Sequence, residues 1–371
     1  MSSPLREPDP MDIEPKPGPP ASRSTSRGTG LAPTNRFETI AYEPDPDSDL
    51  DPSETPARPT QFLRDLSVSV ISRNDSPDIP FRVSLNPYRG CEHGCVYCYA
   101  RPTHEYLGFS AGLDFETRIL VKERAPELLR AELSKPGWER TWMALSGVTD
   151  PYQTVERKLR ITRRCLEVLA EFRQPVGIVT KNGLVARDVD LLGELARHGA
   201  ASVAISLTTL DPDLRRILEP RTSPPSARLA AIRALRRAGV PVGVLVAPII
   251  PDINEPEIAA LLKAAREAGA EFATFTILRL PYAVKELFVD WLERHFPDRK
   301  AKVLSKIEAI RGGSLNDARF GTRMRGEGLF AEQIARLFHA LRRKNGLAER
   351  APELSAAAFR RPGGTQMEMF G

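Results

Sequence analysis

The chain has 371 residues, 41% of them hydrophobic, and a formal net charge of +5. That length and apolar content allow one large α/β domain with appendages, and no run approaches the roughly 18 uninterrupted apolar residues of a membrane span. Met1 to Pro10 holds no basic stretch followed by an apolar one, so a secretory signal is not expected and a cytoplasmic protein is.

Charge and proline are unevenly spread. Residues 1–60 carry 11 acidic and 6 basic side chains, net −5, which leaves +10 on the remainder, and they hold 13 of the 33 prolines. So little apolar surface cannot offset chain entropy, and residues 1–60 are predicted to be a disordered Pro-rich tail. A core domain is then expected over 61–297, a helical extension over 298–350 and a flexible tail over 351–371. Basic residues concentrate in Arg215 to Arg237 and Arg319 to Lys344. A basic body suits a polyanionic partner such as nucleic acid, although solvated arginine-rich helix faces give the same composition.

The body opens with a strand, Phe81 to Leu85, that leads straight into Asn86-Pro-Tyr-Arg-Gly-Cys-Glu-His-Gly-Cys-Val-Tyr-Cys-Tyr-Ala-Arg101. A helix over Ala125 to Leu133 follows, and then strands and helices alternate. The strands are Thr141 to Leu145, Val176 to Val179, Ser202 to Leu207, Val242 to Val246 and Phe272 to Ile277. The helices between and after them cover about 156–172, 187–198, 212–218, 226–238, 255–268 and 283–295. Such alternation argues for parallel pairing with right-handed crossovers. Asp188, Asp211 and Asn254 are placed as helix caps. Two further helices, about 299–310 and 328–344, complete the extension.

Three of the four cysteines, Cys91, Cys95 and Cys98, fall within eight residues, a spacing that asks for a metal. A structural zinc needs a fourth ligand, which His93, His104 or Cys165 would have to supply, because no second C-x2-C is present. An iron-sulfur cube held by three thiolates leaves one iron open to a substrate or cofactor. Clustered unpaired thiols fit a reducing compartment. The remaining cysteine, Cys165, reads as a small core residue of a helix.

The C-x3-C-x2-C spacing, with Tyr97 just before the last cysteine, resembles the cluster loop of the radical S-adenosylmethionine (SAM) enzymes. The wider wording, followed by Thr103-His104-Glu105-Tyr106, is similar to the branch related to spore photoproduct lyase. This resemblance implies a partial (β/α)6 barrel of the TIM type, a [4Fe-4S] cluster on Cys91, Cys95 and Cys98, SAM on the open iron, and a reductant such as flavodoxin or ferredoxin. It further implies reductive SAM cleavage to a 5′-deoxyadenosyl radical, with DNA or a DNA-associated substrate as the target. Catalytic groups of such barrels come from the carboxyl ends of the strands. There the resemblance places the strand-2 SAM motif at Ser146-Gly-Val-Thr-Asp150, in place of the commoner G-G-E, and assigns Ser146, Gly147, Thr149 and Asp150 to the SAM ammonium. Lys181 would offset the SAM carboxylate, Ser206 and Thr208 share one face of their strand near ribose or carboxylate, and Tyr97 would stack on adenine. Arg279 closes the polar series after the sixth strand. Spore photoproduct lyase returns a hydrogen atom through a cysteine near the end of strand 2; Met143 to Tyr152 contains none, so dimer repair by that route is not expected.

The last residues, Gln366-Met-Glu-Met-Phe-Gly371, resemble the peptides that bind the bacterial sliding clamp, with Gln366 at a pocket rim and Met369 and Phe370 in an apolar cleft. The competing reading of the whole chain is a zinc-binding nucleic-acid or clamp adaptor without catalysis.

Overall fold

The computed structural model describes residues 27–38 and 59–362. Ten strands are present among them: β1 (Gln61–Arg64), β2 (Ile71–Arg73), β3 (Val83–Leu85), β4 (Tyr88–Arg89), β5 (Arg118–Val121), β6 (Met143–Leu145), β7 (Val176–Thr180), β8 (Ala201–Ser206), β9 (Val242–Ile249) and β10 (Phe272–Ile277). Strands β3, β6, β7, β8, β9 and β10 lie side by side in chain order and all pair in parallel. Each crossover therefore goes to the next neighbour, which builds the partial (β/α)6 barrel. The register runs through Val83, Met143, Val176 and Ala201, so these strands begin level. Strands β3 and β6 are buried throughout and β8 at all but one position, as helix-covered parallel strands require, while β7 leaves Val179 exposed.

Several elements depart from the periodic reading. Strand β2 pairs antiparallel on the barrel edge, and β1, β5 and β4 make a separate three-stranded sheet; none exceeds four residues, too short for a period to register. The helix expected over 156–172 divides into Glu156–Leu159 and Ile161–Phe172 at Arg160, whose φ is 53°. Glu156 causes the break by folding its carboxylate forward to accept the Thr162 N–H at 3.0 Å, capping the second piece. All three expected caps stand at N-cap positions, but only Asp211 caps with its side chain, accepting from the N–H groups of Asp213 and Leu214. Asp188 instead pairs with Arg163 and Arg187, and Asn254 bonds Thr208 O, Pro248 O and the Ile250 N–H.

The main core fills the barrel and its helical coat. A second core sits over the carboxyl ends of the strands, where Val96 and Tyr97 pack with Leu218, Ile250, Leu287, Phe288, Trp291 and Val303. The helices Val284–His295 and Pro297–Ile310 therefore form a wall of the cysteine loop rather than a remote appendage.

Two segments expected to be loose are packed. Residues 351–362 cross the amino ends of the strands: Ser355 N–H donates to Gly199 O, Arg360 N–H donates to Phe172 O, and Phe359 is buried against Phe172. Leu354 and Phe359 are too sparse an apolar signal to reveal this. At the other end, residues 27–38, part of the predicted disordered tail, lie across the cysteine loop. Leu113 N–H donates to Leu31 O at 2.9 Å, and Asn35 Nδ2 donates to Glu105 O at 2.8 Å. The rest of the tail before Pro59 and the clamp-like Gln366 to Phe370 fall outside the described residues. No helix among the described residues is long and apolar enough to cross a membrane.

Gly28 is where the N-terminal segment touches the loop. A Cβ there would lie 1.5 Å from Gly94 O, so only glycine permits the approach. Gly28→Val is expected to lift residues 27–38 off the loop and cost about 1–3 kcal/mol by overpacking. Limited proteolysis and chemical denaturation read this out; unchanged protection of the segment would contradict the contact.

Candidate metal centre

The cysteine loop begins where β3 ends, at the carboxyl edge of the parallel sheet. Gly90 and Gly94 carry φ values of 78° and 66°, turns that side-chain-bearing residues resist. A Cβ on Gly94 would meet Glu116 Oε2 at 2.6 Å. Cys91 N–H donates to Phe115 O, and fully buried Arg101 reaches back along the loop. Its Nε donates to Cys95 O at 3.0 Å, Nη1 to Gly112 O at 2.9 Å and Nη2 to Glu116 Oε1 at 2.6 Å. Glu116, itself fully buried, also accepts the Gly28 N–H at 3.0 Å. One ion pair thereby ties the loop, the following helix and the N-terminal segment together.

Cys91 and Cys95 are buried and Cys98 is half-buried, all three as free thiols. Burial pushes the Cys95 thiol well above its usual range and Cys98 up to about 11, with the neighbouring cysteines adding to the rise and Lys181 opposing it. Cys95 feels the charge of Cys91 and Cys98, and Cys98 that of Cys91, so the three lie close together. A soft metal centre is what makes such groups thiolates, with release of their protons. Among the described residues no three His, Cys, Asp or Glu side chains close around a single ion; a cube, gripped at three separate irons, does not ask for that closure. The donor set fits the cube: three thiols, with two nearby cations to balance thiolate charge. His93 hydrogen-bonds Cys91 from beside the thiols but is held by Asp150 at 3.3 Å and Asn182 Nδ2 at 3.3 Å, His104 Nε2 lies 2.9 Å from Arg118 O, and Cys165 is buried in the main core.

The strand-2 turn is built onto the same loop. Asn86 Oδ1 accepts the N–H groups of Gly147 and Val148 at 3.0 and 3.1 Å, while the Tyr99 hydroxyl donates to Gly147 O at 2.8 Å. Thr149 Oγ1 donates to Tyr88 O, and Ser146 adopts φ 99°, a glycine-like conformation matching its place where the commoner motif has glycine. Asp150 differs from expectation. Its two oxygens accept from Tyr152 N, Thr180 Oγ1 and Lys181 N at 2.9, 2.7 and 2.7 Å and face His93, so it is committed to holding strand ends rather than open to an ammonium group.

Lys181, Ser206, Thr208 and Tyr97 meet around a residue without a motif, Glu219. The Lys181 Nζ donates to Ser206 Oγ at 2.5 Å and Ala247 O at 3.1 Å and lies 3.3 Å from Glu219 Oε1. Thr208 Oγ1 donates to Glu219 Oε1 at 2.6 Å, and both the Tyr97 hydroxyl and Arg228 Nη2 donate to the same carboxylate. Burial opposes the Glu219 charge, but Arg228 and Lys181 overcome it and hold the carboxyl far below its ordinary range. Tyr97 is buried with its hydroxyl engaged and its ring 5.5 Å from Lys181 Nζ, so it supports the cation and is not open for stacking. Glu219 carried no legible signal, whereas Asn86 and Arg101 stood within the quoted cysteine stretch.

A family model described as the radical SAM superfamily matches residues 85–265, which contain the three cysteines, the turn 146–150, Lys181, Ser206, Thr208 and Glu219. The domain over residues 85–265 is a radical SAM superfamily domain. Among curated relatives, an uncharacterized protein of Mycobacterium tuberculosis is 42% identical over 222 residues, 59% of this chain and 65% of the relative. One of Methanocaldococcus jannaschii is 27% identical over 58% of this chain and 76% of its own. The chain thus spans about 65% of the length of the mycobacterial relative. In fold it is similar to spore photoproduct lyase complexed with dinucleoside spore photoproduct, with a TM-score of 0.55, 18% identity and coverage of 78% of this chain and 81% of that one. A form of that lyase with bound AdoMet and the same photoproduct gives 0.52 at 17% identity, covering 78% and 80%.

His104 gives the loop a pH dependence. Burial holds its imidazole down to about 4 against an ordinary value of 6.5, so it is neutral in the folded chain. The unfolded chain binds this proton first, so the stability that neutral His104 contributes is complete above about pH 6.5 and lost as pH falls toward 4. Denaturation of the metal-free chain across that window is expected to show the loss, with a smaller slope in His104→Phe; equal slopes would contradict the assignment.

Proposed function

We propose that this chain is a radical SAM enzyme whose Cys91, Cys95 and Cys98 hold a [4Fe-4S] cluster and whose adjoining strand ends hold SAM, acting on DNA or a DNA-associated substrate in a reducing cytoplasm with a flavodoxin- or ferredoxin-like reductant. The observation that carries the reading is the direct bonding of the cysteine stretch to the strand-2 turn, through Asn86 and Tyr99 to residues 147–148. The proposed cluster ligands and SAM turn would thereby be tied to each other by three hydrogen bonds. When bound, the reduced cluster supplies the electron that splits SAM into methionine and a 5′-deoxyadenosyl radical able to take hydrogen from a substrate.

The protein's own contribution is placement and charge. Around Glu219 one carboxylate is shared by two cations, Lys181 and Arg228, which leaves one positive charge in surplus. Arg228 is fully buried, so the surplus is presented by Lys181, whose side chain is 17% exposed. A SAM carboxylate beside Lys181 would neutralise it, with the hydroxyls of Ser206 and Thr208 as neighbours. Gly147 leaves room for the ammonium end, and the backbone of the Ser146–Asp150 turn, rather than the Asp150 carboxylate, is positioned to meet it. The second core and the segment 27–38 shut water from the loop's inner side. Nucleic acid as substrate is supported by the +10 charge of residues 61–371 and by fold neighbours captured with a dinucleoside photoproduct. No cysteine stands at the strand-2 end, and Cys165 is sealed in the core, so hydrogen return through a thiol there is not part of this reading.

Anaerobic reconstitution with iron and sulfide is expected to give a brown protein that makes 5′-deoxyadenosine from SAM under reduction. Cys91→Ala, Cys95→Ala and Cys98→Ala should each lose the cluster and this product; full iron content and turnover in any one would remove it from the ligand set, and a colourless zinc protein would favour the adaptor reading. Lys181→Met is expected to keep the iron content but weaken SAM binding roughly tenfold, about 1.4 kcal/mol. Equilibrium binding of SAM to the reconstituted variant measures this, and unchanged affinity would rule Lys181 out as the carboxylate's partner.

A further inference from the structure

Four arginines gather where β10 leaves the barrel, and three find hydrogen-bond or ion-pair partners within the fold. Arg311 donates to the carbonyls of Ile277, Leu278, Thr322 and Arg323. Arg319 pairs with Asp317 and Glu327, and Arg323 pairs with Asp78 at 2.6 Å. The fourth, Arg279, forms no ion pair among the described residues. Its Nη1 reaches only the weakly accepting Met324 Sδ at 3.2 Å, and its buried Nε has no hydrogen-bond partner. Burial and the charge of Arg323 work against its protonated form, and the Asp78 carboxylate, which is itself paired with Arg323, offsets them only in part. A half-buried guanidinium without an ion-pair partner of its own is costly unless a ligand supplies one.

The position of this cation gives the ligand's address. Arg279 Cζ lies 6.0 Å from the ring of Tyr99, whose hydroxyl holds Gly147 O, so the cation stands one ring's breadth from the SAM turn and on the open side of the cluster loop. Tyr99 is 56% exposed; Tyr282, three residues beyond Arg279, is 62% exposed with Arg36 over one face at 3.9 Å, and Phe320, 60% exposed, carries Arg323 at 4.5 Å. A partly buried arginine beside the exposed Tyr99 ring offers a charge for a phosphate and a face for an unpaired base.

We propose that Arg279 binds a backbone phosphate of a nucleic-acid substrate and so sets which nucleotide is presented to the cluster, an inference that rests on the function proposed above. Phosphate is favoured over a protein carboxylate by the +10 charge of residues 61–371 and by the exposed Tyr99 ring.

The test uses the reconstituted full-length holoenzyme, a short fluorescein-labelled single-stranded oligodeoxynucleotide and an acidic peptide of equal net charge, with binding followed by anisotropy over a range of salt. Wild type should bind the oligonucleotide better than the peptide. Arg279→Met should weaken oligonucleotide binding roughly tenfold and reduce the salt slope by about 1, with Arg279→Lys recovering part of the affinity. Iron content and substrate-free SAM cleavage should match wild type in both variants. Unchanged oligonucleotide affinity in Arg279→Met, an Arg279-dependent preference for the peptide, or loss of SAM binding in that variant would each overturn the assignment. Failure of wild type itself to cleave SAM would instead strike the parent reading, which the binding experiment leaves separate.

Discussion

A shared buried carboxylate, Glu219, is the constraint on which the site depends. It joins Tyr97 of the cysteine loop, Thr208 at the end of β8, Lys181 at the end of β7 and Arg228 of the helix Pro225–Arg237. Removing one member of a buried pair leaves an uncompensated charge worth about 3–5 kcal/mol, so none of these elements can shift alone. The second carboxylate, Glu116 with Arg101, performs the same service on the opposite side of the loop. Between the two, a stretch without regular secondary structure is held as firmly as a strand end. Cluster ligation needs that rigidity, because three thiols on a loop must be in place before the metal can fix them.

The burial of the thiols and their distance from charge balance follow from the same design. Cys95 lies where burial disfavours the thiolate, yet Lys181 is close enough to offset part of that penalty. The lysine beside Glu219 therefore also acts on the Cys95 thiol, as does Glu219 itself with the opposite sign.

Much of this was legible in the residues. Alternating apolar runs and helical periods located all six parallel strands, and the first of them leads into the cysteine loop, as expected from the sequence. Alternation along β8 placed Ser206 and Thr208 together, as their shared contact with Lys181 bears out. What escaped the sequence is of two kinds. Short pieces such as β2 and β4 are made by partners far along the chain, and their own residues carry no period. Buried charges such as Glu219 and Glu116 look like surface residues until the fold supplies Arg228 and Arg101. The glycines were ambiguous for a related reason: Gly28 sits in a stretch whose composition reads as tail, and only its approach to Gly94 shows that the stretch belongs to the site. Asp150 was legible as important but not as a positioning group, because its partners come from β7 and from His93.

The central claim is that three thiolates grip three irons and leave the fourth to SAM. Electron-nuclear double resonance of the reduced, reconstituted protein with SAM labelled at its amino nitrogen and carboxylate oxygen tests it most directly. The account predicts coupling of both labels to the cluster. A fully loaded cluster that shows neither coupling, with SAM demonstrably bound, would contradict it.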